Sequence, residues 1–151
     1  MPVARQAVTV AVNSARANLK SVRAAAYGTG KSCSSVFSHT SASHSAAGRA
    51  SSAARHVTTT LNRLRGDVGR LDAAVALVRK DLAALQAAIK AEPNPPPTVT
   101  TAEVNAAISG AVTLHKATIA YVGDATSKVA GNVSAAAKAA STASSVAAKA
   151  C

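Results

Sequence analysis

The chain has 151 residues and a net charge of +11, with 48% apolar residues but no Trp, one Phe and two Tyr. Large side chains dominate the energetics of a globular core, so this alanine-rich composition suits long helices packed edge to edge better than a wide core with a catalytic pocket. Two cysteines make no disulfide framework, and no apolar run approaches the roughly 20 residues that span a bilayer.

The charge is unevenly placed. Residues 1–66 carry nine Lys/Arg and no acid, and residues 67–151 carry eight against six. Such asymmetry points to an acidic partner, a membrane surface or a targeting role for the front.

Residues 1–27 read as a basic amphipathic helix. Val8, Val12, Ala15, Leu19, Val22 and Ala26 recur at steps of four and three. Arg5, Arg16, Lys20 and Arg23 flank that stripe, and with Lys31 they form a basic arm. Gly28 and Gly30 stop the helix. Residues 28–45 are rich in Ser, Gly and His, show no clear period, and read as a loop, so the N-terminal segment is expected to be partly disordered.

Residues 46–91 read as a coiled-coil helix. Val57, Leu61, Leu64, Val68, Leu71, Val75, Val78, Leu82, Leu85 and Ile89 alternate steps of four and three without a miss. That is a heptad seam sustained over nearly five repeats. Gly66 and Gly69 weaken it locally. Residues 92–99 form a Pro-rich linker, which cannot continue a helix.

Residues 100–150 read as a second long helix with an Ala-rich end. Thr100 and Glu103 fit a capping box. Its seam runs through Val104, Ile108, Val112, His115, Ile119, Val122, Thr126, Val129 and Val133, then through Ala136, Ala140, Ala143 and Ala147. The last turns are expected to fray.

The flanking charges do not specify a parallel homodimer, because Asp67 would face Asp72 of a partner. Folding at the linker instead sets Ile89 beside Val104 and Val57 near Ala136. Upstream, Ala47, Ala50 and Ala54 then meet the alanine seam at about residues 139–146. This antiparallel hairpin competes with a parallel oligomeric rod. The N-terminal helix either lies in the hairpin groove as a third strand or stays free. Cys151 would lie near residue 42, which makes a Cys33–Cys151 bridge conceivable.

The stretch Gly28-Thr29-Gly30-Lys31-Ser32 ends as a phosphate loop does. The full pattern needs a Gly at position 25, where Ala25 stands, and a buried strand before it, where a basic helix is expected. His39 and His44 have the spacing of a zinc pair but no cysteine pair to complete it. His115 lies on the second seam. No catalytic, cofactor-binding or metal-binding set emerges, so the chain reads as a non-enzymatic protein without a cofactor.

Residues 100–113, TTAEVNAAISGAVT, and the Ala/Thr/Val/Asn-rich helix after them resemble fibre and stalk segments of phage tail and other virion proteins. The resemblance implies a structural subunit of a larger particle.

The expectation is therefore an all-α protein of long helices, an antiparallel coiled-coil hairpin or small bundle, that assembles with a protein partner or itself through the seam. Two alternatives stay open. In one, residues 1–55 bind nucleic acid or another anionic surface and the coiled coil sets valence. In the other, residues 1–55 are a cleaved transit peptide for mitochondrion or plastid. Without such cleavage, an intracellular or virion-associated protein is expected.

Overall fold

The computed structural model describes residues 2–92 and 101–151. The protein is all-α. Helix α1 spans Pro2–Tyr27, α2 spans Cys33–Ala91 and α3 spans Thr101–Ala150, with no strand among the described residues. Thr100, the expected cap of α3, and the proline run at 93–97 lie outside the described residues.

The chain divides into two compact units. Unit 1 comprises Met1–Leu61 with Asp124–Cys151, and unit 2 comprises Asn62–Gly123.

Unit 1 is a three-helix bundle of α1, the start of α2 and the end of α3. Its core is narrow because its residues are small. Val8, Ala11, Val12, Ala15, Val22 and Ala26 come from α1, and Val36, Ala46, Ala50, Ala54, Val57 and Leu61 come from α2. From α3 come Ala125, Val129, Ala136, Ala139, Ala140, Ala143, Ala147 and Ala150. Val22, Ala26, Val36, Ala143, Ala147 and Ala150 form one cluster at the end where Cys33 and Cys151 are joined by a disulfide. The amphipathic stripe of α1 thus lies in the bundle as its third strand.

Two expectations need correction here. The segment read as loop over residues 28–45 is mostly helix, since α2 starts at Cys33. Only Gly28–Ser32 connects α1 to α2. The Gly28 amide donates to the Ala24 carbonyl at 2.8 Å, closing the last turn of α1, and a Cβ at Gly28 would run into that carbonyl oxygen. Ser32 caps α2, its hydroxyl accepting from the Ser35 amide at 3.3 Å. The helical period of this stretch is present but carried by small residues. Ser43 sits fully buried between Val36 and Ala50, its hydroxyl donating to the Ala15 carbonyl at 3.2 Å. Thr40 is accommodated by donating to the Val36 carbonyl at 2.8 Å, one turn back.

The second correction concerns register. His44 Nε2 lies 2.7 Å from Ser144 Oγ, and Asp72 lies 2.8 Å from His115 Nδ1. The expected pairing would have set them near residues 149 and 121. At these contacts the helices meet five and six residues away from that alignment. An alanine-rich seam offers little steric resistance to such a slip, so periodicity alone does not fix the register. In unit 1 the alignment is held instead by the disulfide, with Cα atoms 5.7 Å apart, and by His44 against Ser144. The expected fraying of the last turns is also absent, as α3 continues to a buried Ala150.

Candidate functional site

The phosphate-loop-like stretch does not build a nucleotide site. It follows a helix rather than a strand, its Ser32 hydroxyl is engaged in capping α2, and Lys31 is exposed. Among the described residues no group of three metal-ligating side chains comes together. His44, one of the two residues with zinc-pair spacing, contacts Ser144 at 2.7 Å. No helix among the described residues is long and apolar enough to cross a membrane.

Two surfaces remain. The first is the basic face of unit 1. Unit 1 holds ten of the seventeen Lys/Arg but only one of the six acids, Asp124, while unit 2 holds seven and five. Nearly all the net charge thus belongs to the bundle. At 100° per residue, Arg5, Arg16 and Arg23 fall within about 20° of one another on α1. They line the α1–α3 side of the bundle. Arg5 and Thr9 border a hollow with Lys128, Val129, Gly131 and Asn132. Farther along, Arg16, Leu19 and Arg23 border a second, of about 270 Å³, with Ala135, Lys138, Ala139 and Thr142. Residue numbers rise together on both walls, so α1 and α3 run parallel. Lys128 also reaches Asp124 at 2.9 Å. Lys20 and Lys31 are exposed. The sequence gives no sign that Lys128 and Lys138 belong with the arm, because more than a hundred residues separate them from α1.

The second surface is the seam of unit 2. The α2 heptad residues grow more exposed along the chain. Val57, Leu61 and Val68 are buried, Leu64, Leu71, Val75, Leu82 and Ile89 are half-buried, and Val78 and Leu85 are 45% and 47% exposed. The order has a geometric cause. A strict seven-residue repeat on a 3.6-residue helix drifts by about 20° per heptad. The series Val57, Leu64, Leu71, Val78, Leu85 therefore rotates steadily away from the facing helix. On α3, Ile108, Val122 and Val129 are buried, Val104, Val112, His115, Thr126 and Val133 are half-buried, and Ile119 is exposed.

In unit 2, Leu71, Ala74, Val75 and Val78 face Val104, Ala107 and Ile108 across an apolar cleft of about 440 Å³, with Glu103 at its edge. Val78, Leu82, Leu85 and Val104 border a smaller one with Asp81. His115 Nδ1 contacts the Asp72 carboxylate at a distance suited to an ion pair, without the angles of a good hydrogen bond.

Comparison with protein-family models, with curated proteins and with solved structures gives no match.

Proposed function

We propose that this chain is a non-enzymatic helical structural protein that assembles with a second copy of itself through unit 2. Residues 62–91 and 104–123 would pair there as an antiparallel coiled-coil hairpin. The observation that carries this reading is the exposure of Val78 and Leu85 beside an open apolar cleft. Two helices alone cover one side of each seam, whereas four helices enclose both.

A second copy fits better than a strongly charged partner. Unit 2 mixes seven Lys/Arg with five acids, a surface that tolerates its own image. Unit 1, with ten cations and one acid, repels its copy. A parallel pairing of two α2 seams would oppose Asp67 and Asp72, so the two hairpins are expected to meet antiparallel, about a two-fold axis. Such a subunit suits a larger assembly, a virion or phage particle among them.

The organelle-address alternative fits less well. Removal of residues 1–55 would strip all of α1 and the start of α2 from the core of unit 1, Val8, Val12, Ala15, Val22 and Val36 among them.

The test is sedimentation of the Val78→Asp/Leu85→Asp variant beside the parent chain. Each acid lands on an already exposed position, so helix content by circular dichroism should hold while the assembly falls to single chains. An assembly unchanged by both acids would remove the reading.

A further inference from the structure

We propose that the α1–α3 face of unit 1 binds the phosphate backbone of a nucleic-acid duplex without reading its sequence. The contact set is Arg5, Arg16 and Arg23 on α1 with Lys128 and Lys138 on α3.

Four observations converge on this partner. The first is charge. The hollow between Arg16, Arg23 and Lys138 is lined by three cations and no acid. Three of the five track residues are arginines, whose planar fork suits phosphate oxygens.

The second is shape. Arg5 and Arg23 are separated by eighteen residues of one helix, about 27 Å at 1.5 Å per residue. That length spans about eight steps of a duplex strand at 3.4 Å per phosphate. Helices α1 and α3 run side by side, so the cations form a fixed two-rail track rather than a flexible arm.

The third is the fate of the apolar face of α1. An interfacial helix on anionic lipid must insert that face into the bilayer. Here Val8, Val12, Ala15 and Val22 are buried in the bundle core and are unavailable for insertion.

The fourth is the shortage of aromatics. Sequence-tolerant binding to single strands relies on bases stacked on several rings. On unit 1 the exposed large aromatics are Tyr27, 66% exposed, and Phe37, 57% exposed. Two rings do not make a stacking platform. The contact set is made of cationic side chains along two helix flanks, so affinity follows phosphate charge rather than base edges.

The experiment is fluorescence anisotropy of the full chain on a labelled random-sequence DNA duplex across a salt series. Lys128 is already paired with Asp124, so about four phosphate contacts set the slope of log K against log salt near −3.6, a loss of about 150-fold between 50 and 200 mM. The variant Arg16→Gln/Arg23→Gln/Lys138→Gln should flatten the slope by about 3 and weaken binding at low salt. The variant Arg63→Gln/Arg65→Gln/Arg79→Gln removes the same charge from unit 2 and should leave the slope unchanged. Equal loss in both variants would show diffuse attraction and overturn the assigned face. Binding to phosphatidylserine vesicles without duplex binding would overturn the partner. Sedimentation of each variant reads self-association separately, so failure of this inference is distinct from failure of the assembly reading.

Discussion

Breaking the Cys33–Cys151 bond should lower stability by several kcal/mol while leaving the fold in place. The bond joins residues 118 apart, tying the first turn of α2 to the residue after α3. Closing a loop of that size in the unfolded chain removes entropy worth about 5 kcal/mol at 25 °C, and measured effects more often reach about 2–4 kcal/mol. For a chain of this length each kcal/mol moves the midpoint by about 2–4 °C, so a fall of about 10 °C is expected. Val22, Ala26, Val36, Ala143 and Ala147 remain packed at that end, so the reduced bundle still folds. The assay is thermal melting by far-UV circular dichroism of three samples: the oxidised chain, the same chain with dithiothreitol, and Cys33→Ser/Cys151→Ser. The reduced chain and the variant should melt together, well below the oxidised one. Coincident melting of all three would refute the reasoning, because the ends of α2 and α3 would then not be constrained by the bond.

Other consequences follow from the small-residue core. Ala143 is fully buried in the cluster of α1, α2 and α3, so Ala143→Leu should destabilise the bundle by about 1–3 kcal/mol through overpacking, read by urea denaturation. An unchanged midpoint would mean the helices do not approach closely there. Gly66 and Gly69 lie inside α2 with open space where a Cβ would go, so Gly66→Ala and Gly69→Ala should each raise stability by up to about 1 kcal/mol. Loss of stability in either would contradict a continuous helix at those positions.

The all-α architecture was legible because long segments keep one period. The α1 stripe named from spacing alone matches the residues that fill the bundle, apart from Leu19, which is half-buried, and Ala11, which is buried but lies outside the stripe. The stretch from Cys33 to residue 45 was not legible, and the reason is chemical. Its core positions are Val36 and Ser43, and a serine looks like a loop residue until its hydroxyl finds the Ala15 carbonyl on another helix. Register was hidden for a related reason. Alanine against alanine offers little steric resistance to a slip, so the alignment depends on long-range partners such as His44 with Ser144. The basic face was half legible. Arg5, Arg16 and Arg23 show their common flank in the sequence, but Lys128 and Lys138 join them only because α3 packs parallel to α1.

If the apolar seam of unit 2 receives a second copy, sedimentation equilibrium of the intact oxidised chain should show it. The mass should approach twice the 14.9 kDa of one chain as concentration rises. A single-chain mass at every concentration would contradict it.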